Sequence, residues 1–430
     1  MIARYEAFCR VIFCRLKQRG WGWFFWGFAR RCGLELLWLV LLPLGFLGHL
    51  LGHRRLYVQT WHIGHLAADL DTFLKEQRRR LLPKRRRFIT APAKRVANNH
   101  LLTYWRELIP VISNPWAAFA LEILSRRWFM HEDLSQYVSG YFGTQDIYRI
   151  NQLWGQRPPI LALRSEDDAW AKNELVDLGL GEHQWFVCVH VREGSYIPKN
   201  EAIQSYRNAS ITHTIPAMKE IVRRGGVCVR MGDPGMTPLP VIPGVIDYAR
   251  HPMKSERMDV VLCAKARFFL GCTSGLSFLS TIFGVPVAQA NMIPVETLGI
   301  RHCDLSMPKL LWDESLGRYL RFDEIMNSKT GGYFFTHQYQ QAGLRVEENC
   351  SEDILDLVSE MMDRLDGRFI ETEEDSKLHE AYLSLFKSGH YSYGANSRVC
   401  LGFLRRHQAL LNRADDSNVG IEKGFDSIRV

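Results

Sequence analysis

WFVCVHV, residues 185–191, is a continuous run of apolar side chains interrupted only by a histidine near its end. A strand that is apolar at every position is typical of a parallel sheet covered on both faces. The pattern recurs as VCVR at 227–230, ARFFLGC at 266–272 and VPVAQAN at 285–291, with helix-like segments at 214–224, 255–266 and 275–283 between these strands. This alternation predicts a doubly wound α/β domain.

A second α/β half is predicted upstream, where LYVQTW at 56–61 has the composition of a strand and an amphipathic helix follows it. Two such halves indicate two facing Rossmann-like domains. The predicted organisation is a basic, aromatic and apolar segment (1–55), an N-terminal α/β domain (56–182), a C-terminal Rossmann-like domain (183–370), helices packing back towards the N-terminal domain (371–413) and a flexible tail (414–430).

The chain has 430 residues, of which 47% are hydrophobic, and this composition excludes a disordered protein. Its formal charge of +8 is concentrated in two blocks, 1–31 and 78–95, and the second contains no acid. The first block interleaves cations with aromatic residues, as membrane interfaces favour. Without a recognition motif for nucleic acid, the charge predicts an anionic membrane surface as partner. For 78–95 alone, a solvated helix end and loop is the alternative.

Residues 36–52 form an apolar run that is shorter than the roughly 20 residues needed to cross a bilayer, and it contains Pro43. We interpret it as a monotopic or re-entrant attachment. A single span and a buried core hairpin are the alternatives.

Polar residues follow the strands of the second half, at the edge where ligands bind in such sheets. Arginine, small hydroxyl residues and glycines there are suited to a diphosphate, because they supply guanidinium groups and accessible backbone N–H groups. The candidate residues of a nucleotide-diphosphate site are His190, Arg192, Asn208, Arg230, Gly232, Asp233, Thr273, Ser274, Gly275 and Ser277.

The sequence lacks a Walker A loop, a GxGxxG fingerprint and a GxSxG elbow, which removes the main support for a P-loop NTPase, a simple dehydrogenase or a serine hydrolase. No Asp-x-Asp pair occurs in the second half, so neither a metal nor a cofactor is predicted. In the first half, His65 lies one helical turn before Asp69 and is the candidate catalytic base. A histidine that only caps a turn is the alternative.

HVREGSY (190–196), YRNAS (206–210), VRMGD (229–233), FFLGCTSGLS (268–277) and GLRVEENCSEDI (343–354) resemble a family of bacterial glycosyltransferases found with surface-polysaccharide genes. The resemblance covers roughly 55–413. A looser similarity reaches the fucosyltransferase and protein O-fucosyltransferase group, which is of the GT-B type. That similarity implies a GT-B-like fold, donor-phosphate binding by Thr273, Ser274 and Ser277, and a catalytic role for Arg192. Glu193-Gly194 departs from that group's pattern and leaves the donor open.

The resemblance implies a membrane-associated, metal-independent glycosyltransferase. The membrane-associating segment would be 1–55, the acceptor-side domain 56–182 and the nucleotide-sugar-binding domain 183–370. The enzyme would move a sugar from a nucleotide sugar to a glycan or lipid-linked acceptor at the cytoplasmic face of the inner membrane, as a peripheral or monotopic protein. Ten cysteines without a CxxC pair agree with a reducing compartment. A nucleotide-sugar epimerase and a non-catalytic subunit of a polysaccharide assembly complex are the alternatives.

Overall fold

The computed structural model describes residues 2–126, 129–137, 146–194 and 201–411, so the predicted tail at 414–430 lies outside the described residues. The helices are α1 (Ile2–Leu50), α2 (Ile63–Arg78), α3 (Asn99–Arg106), α4 (Pro115–Leu124), α5 (Asp146–Trp154), α6 (Ser165–Asp177), α7 (Glu201–Gln204), α8 (Ile215–Arg223), α9 (Glu256–Lys265), α10 (Ser277–Ile282), α11 (Phe322–Met326), α12 (Thr336–Gln341), α13 (Ser351–Leu365), α14 (Glu373–Ser384) and α15 (Leu401–Arg406).

The strands are β1 (His53–Tyr57), β2 (Arg86–Thr90), β3 (Val111–Ile112), β4 (His131–Asp133), β5 (Phe186–Val189), β6 (Val227–Arg230), β7 (Val245–Ile246), β8 (Phe268–Gly271), β9 (Val287–Met292), β10 (Leu305–Pro308), β11 (Leu310–Asp313), β12 (Arg318–Tyr319), β13 (Leu344–Glu347) and β14 (Arg398–Val399).

The chain forms two compact units, and each draws on separate stretches of sequence. The first unit comprises residues 1–58, 83–96 and 105–133, and the second comprises 59–82, 97–104 and 134–430. Helix α3 contributes residues to both. The domain limits drawn from the sequence stay a prediction.

The first unit contains a four-stranded parallel sheet in the order β3-β2-β1-β4. Strand β1 begins three residues before the predicted strand at 56–61, because two buried arginines belong to it. Arg55 donates hydrogen bonds to the hydroxyls of Ser125 and Thr90. Arg87 of β2 holds both carboxylate oxygens of Glu132, at 2.8 and 3.0 Å. A buried arginine in a strand requires such hydrogen-bond partners. The sequence around the arginine does not reveal which residues these partners are.

Helix α1 is continuous from Ile2 to Leu50 and passes through Pro43. The re-entrant and buried-hairpin interpretations of 36–52 are therefore wrong. Its stretch Phe25–Leu50 is long and apolar enough to cross a membrane, and only 11% of the most apolar 18-residue segment within it is buried. One apolar helix near the N-terminus is compatible with membrane association.

The second unit contains a seven-stranded parallel sheet in the order β14-β10-β9-β8-β5-β6-β7, and a small antiparallel sheet in the order β12-β11-β13. Every residue of β5, β6 and β8 is buried, as expected of strands covered on both faces. The α/β class with parallel sheets is thus confirmed. From β5 the chain adds β6 and β7 on one side and β8 and β9 on the other, so the strand order reverses between β5 and β8. Ligand crevices in such sheets lie at this point.

Candidate functional site

A cavity of about 580 Å³ lies in the second unit where β5, β6 and β8 end. Nine of the eleven residues predicted from the sequence line it, whereas Asn208 and Arg230 do not. The nine are His65, His190, Arg192, Gly232, Asp233, Thr273, Ser274, Gly275 and Ser277.

Arg192 follows β5 and is half-buried at the cavity wall. Its Nη1 donates hydrogen bonds to the Asn208 side-chain oxygen and to the Gln204 carbonyl, the latter at 3.2 Å. The Asn208 amide in turn donates to Glu201. Burial, and next the repulsion from Arg207, lower the pKa of Arg192. Asn208 therefore orients the arginine without itself lining the cavity.

Arg207 also lines the cavity, and it lies beside the candidate Asn208 in the YRNAS motif without being one of the eleven candidate site residues. Its Nε and Nη2 donate to the Thr273 carbonyl at 3.0 and 2.6 Å, which ties the loop after β8 to the segment after α7. Lys254 also lines the cavity, and its Nζ lies 3.0 Å from the Asp259 carboxylate. A basic residue beside a predicted ligand residue was the available signal for Arg207.

His190 is 8% exposed, and within the described part of the chain its Nδ1 has no hydrogen-bond partner. Burial, Arg230, Arg192 and Lys254 together lower the pKa of His190 to about 3. The imidazole is therefore neutral at physiological pH. A buried polar atom without a partner is costly, so a polar group of a ligand in the cavity would satisfy it.

Arg230, at the end of β6, is fully buried and does not line the cavity. Its guanidinium bridges Asp247 at 3.0 Å and Glu193 at 3.1 Å. Glu193 also accepts two hydrogen bonds of 2.8 Å from the backbone and the hydroxyl of Thr237. The geometry gives Arg230, at the end of β6, the role of holding the segments after β5 and β7 together.

Gly232 has φ +139, a backbone conformation that residues with a side chain rarely adopt, and a Cβ there would collide with the Met236 sulfur. This places Asp233 beside the cavity, where its carboxylate accepts the Gly235 N–H at 2.9 Å.

The hydroxyl residues after β8 have protein partners, which lie in the same turn for Ser274 and Ser277 and after β9 for Thr273. Thr273 accepts the Ile293 N–H at 2.9 Å, and Ser277 donates to the Ser274 carbonyl at 2.9 Å. The Ser274 hydroxyl accepts a long hydrogen bond of 3.5 Å from the Leu276 N–H. Helix α10 begins at Ser277, two residues after the predicted start, so Thr273, Ser274 and Gly275 belong to the loop.

His65 lies in the first turn of α2 and lines the cavity. Its Nδ1 lies 3.1 Å from the Asp69 carboxylate, which is almost fully buried. With the Nδ1 proton donated to Asp69, Nε2 is left as a proton acceptor. The helix N-cap position belongs to His62, whose side chain makes no capping hydrogen bond, so capping does not account for His65. Burial is the largest of the causes that lower the pKa of His62.

Across the described ranges, no group of three or more His, Cys, Asp or Glu side chains has the arrangement of a metal site.

No family model and no curated protein matches the chain. Several solved structures are similar to part of the chain, among them the following three. The glycosyl transferase family 9 structure from Veillonella parvula DSM 2008 has 13% identity and a TM-score of 0.35, and the match covers 56% of this chain and 80% of that one. E. coli ADP-heptose lps heptosyltransferase II has 12% identity and a TM-score of 0.37, with 60% and 90% covered. TibC from enterotoxigenic E. coli H10407, described as an iron-containing dodecameric glycosyltransferase, has 16% identity, a TM-score of 0.33 and coverages of 56% and 58%.

Proposed function

We propose that this protein is a glycosyltransferase that uses a nucleotide-sugar donor. The observation that carries the proposal is the content of one cavity. Arg192, Arg207 and Lys254 bring positive charge to it, and the His65–Asp69 pair brings a proton acceptor. A diphosphate leaving group requires positively charged side chains, and an attacking hydroxyl requires a proton acceptor.

The diphosphate of the donor would lie against Arg192, which Asn208 and the Gln204 carbonyl already hold in place. A guanidinium binds phosphate oxygens through paired hydrogen bonds. Because Arg192 is half-buried, its charge acts in a medium of low dielectric constant and stabilises the negative charge that develops on the leaving group. Neutral His190 offers Nδ1 as a further contact to the donor.

The reaction proposed forms a bond between the acceptor hydroxyl oxygen and the anomeric carbon of the donor sugar. The bond from that carbon to the diphosphate oxygen breaks, and the hydroxyl proton passes to Nε2 of His65. Asp69 stabilises the imidazolium that results. The nucleoside diphosphate leaves with the electron pair of the broken bond.

The finer parts of the proposal concern the acceptor, the metal and the location. Stabilisation of the leaving group by Arg192 and Arg207 supports turnover without a divalent metal. The apolar α1 supports an acceptor at a membrane, which makes a lipid-linked or polysaccharide chain at the cytoplasmic face the class we propose. The resemblance to the fucosyltransferase group and to surface-polysaccharide enzymes stays a prediction.

A thermal-shift screen of nucleotide sugars separates this function from an epimerase and from a non-catalytic subunit. We expect a subset of donors to raise the melting temperature of the wild type and of Arg223→Ala, an exposed arginine on α8, but not of Arg192→Ala. The stabilising donor should then be consumed only when an acceptor is added. Donor altered without acceptor would indicate an epimerase, and no stabilisation by any donor would contradict the proposal.

A further inference from the structure

Between residues 34 and 49, one stripe of α1 is packed against protein, although most of the helix surface from residue 25 to residue 50 is exposed and apolar. The residues of this stripe recur every three or four positions, as one face of a helix requires. They are Leu34, Glu35, Trp38, Leu41, Leu42, Gly45, Gly48 and His49, all buried or half-buried. The remaining faces carry large exposed side chains, among them Leu36, Leu39, Val40, Leu44, Leu47 and Leu50.

The protein that covers this stripe is α4 and the chain that follows it. A Cβ on Gly45 would lie 2.9 Å from the Leu124 carbonyl oxygen, and one on Gly48 would lie 2.5 Å from the Met130 sulfur. Phe46 packs edge-to-face on Phe129 with ring centroids 5.7 Å apart. A side chain at Gly45 would therefore clash with backbone, whereas one at Gly48 would have to displace the Met130 side chain.

Glu35 is the only acidic residue of the stretch Phe25–Leu50, and it pairs with Arg126 at 3.1 Å. The contact region thus extends along α1 from Glu35 to His49. With a rise of about 1.5 Å per residue, this is roughly 20 Å of the helix axis. If α1 crossed a bilayer, α4 and the ion pair would have to enter the hydrocarbon core with it, and unshielded polar groups there are expensive.

Helix α4 presents its own apolar side chains to solvent. Trp116 is 82% exposed and Phe119 is 46% exposed, and their spacing of three places them on the same face. Asn114 fixes the start of the helix by accepting the N–H groups of Trp116 and Ala117, both at 3.0 Å. Exposed tryptophan is enriched where protein meets the headgroup region of a membrane.

Cations border the apolar surface at the C-terminal end of α1. The Arg86 N–H donates to the Gly52 carbonyl at 2.9 Å, which places the exposed Lys84, Arg85 and Arg86 beside that end. At the other end, Arg30 lies over the Trp26 ring at 5.6 Å. Such cations are attracted to anionic headgroups, whereas a second copy of the same surface would repel them.

We infer that α1 and α4 form one monotopic face, the two-helix face, which docks on an anionic bilayer with α1 lying along the membrane plane rather than crossing it. This inference deepens, and rests on, the membrane association proposed above. It does not depend on the glycosyl-transfer chemistry, which a turnover assay in detergent measures separately.

The first test is the binding of the full chain to vesicles of equimolar phosphatidylcholine and phosphatidylglycerol. Trp116→Glu/Phe119→Glu should bind roughly ten-fold more weakly or worse, because two interfacial aromatic contacts are lost. The control Val241→Glu, at a fully exposed residue of the second unit, should bind as the wild type does. Both altered sites are exposed, and circular dichroism verifies that the variants fold.

The second test locates the N-terminus in inverted membrane vesicles, with epitopes at both ends of the full chain. Both epitopes should be open to protease on the same side. Protection of the N-terminal epitope alone would show that α1 crosses the membrane and would overturn the inference. Unchanged vesicle binding by the double variant would also overturn it, as would a dimer in solution that the double variant disrupts. Failure of the wild type to bind vesicles would remove the membrane association itself.

Discussion

The backbones of Gly64 and Gly275 are in direct contact. A Cβ on Gly64 would lie 2.7 Å from the Gly275 Cα, and a Cβ on Gly275 would lie 2.8 Å from the Gly64 nitrogen. Gly64 belongs to the first turn of α2, next to His65, and Gly275 belongs to the loop after β8, next to Ser274. This contact brings the proposed base to the proposed phosphate loop within the second unit.

Gly275→Ala should therefore separate α2 from the loop. We expect the free energy of unfolding to fall by about 1–3 kcal/mol, as for other overpacked contacts. We also expect kcat to fall by a larger fraction than the free energy of unfolding does. Gly389→Ala is the matched control, since a Cβ there meets no atom within 4 Å. Chemical denaturation and initial rates measure the two effects. A Gly275→Ala protein with the stability and rate of the control would refute the importance of the contact.

Arg192→Ala should lower kcat/KM by about 100-fold or more, because a preorganised donor to the leaving group is lost. Asn208→Ala should cause a smaller loss in the same parameter, since Asn208 acts by orienting Arg192. Steady-state kinetics with the donor varied measures both variants. Equal activity of Arg192→Ala and the exposed Arg223→Ala would contradict the assignment.

His65→Ala should reduce kcat by about 10²–10⁴-fold with little effect on donor binding, as expected for a general base. Asp69→Asn should also lower kcat, because the amide no longer stabilises the imidazolium. Donor titration calorimetry should show unchanged affinity for both variants. Full turnover by His65→Ala would remove His65 from the mechanism.

Arg230→Met separates a structural role from donor binding. The guanidinium is fully buried between two partly exposed carboxylates, so its removal should cost about 2–4 kcal/mol of folding free energy. We expect the KM for the donor to change far less than in Arg192→Ala. A variant with wild-type stability and a strongly raised KM would instead favour the donor contact predicted from the sequence.

His190 makes stability depend on pH. Its folded pKa of about 3 lies below the ordinary value of 6.5, so the unfolded chain binds a proton first as the pH falls. The contribution of His190 to folding stability is complete above pH 6.5 and is lost as the pH falls towards 3. Between pH 7 and pH 5 this group alone should remove about 2 kcal/mol. Denaturation at several pH values should show that loss in the wild type and in His183→Asn, an exposed control, but not in His190→Asn. A loss of equal size in His190→Asn would assign the effect to other groups.

The second unit was the more predictable because its strands are apolar at every position. VCVR became β6 with its limits unchanged, and the helix predicted at 214–224 is α8, one residue shorter at each end. The topological rule selects the ten candidates from the second half, and eight of them line one cavity together with His65.

Long-range pairing explains what the sequence did not reveal. Strand β2 begins inside the basic block at 78–95, because Arg87 forms an ion pair with Glu132, which lies forty-five positions later in the chain. The position of Arg230 at the end of a strand predicts contact with a ligand, but its guanidinium is hydrogen-bonded to Asp247 and Glu193 instead. The packed stripe of α1 likewise depends on α4, which no local pattern in residues 36–52 indicates.

Glycosyl transfer is measured by the release of nucleoside diphosphate from nucleotide sugars, with and without a glycan or lipid-linked acceptor. In EDTA, the wild type should release diphosphate from at least one donor in an acceptor-dependent way, and Arg192→Ala should release about 100-fold less. Acceptor-dependent release that Arg192→Ala and His65→Ala both retain in full, or no release with any donor, would contradict the account.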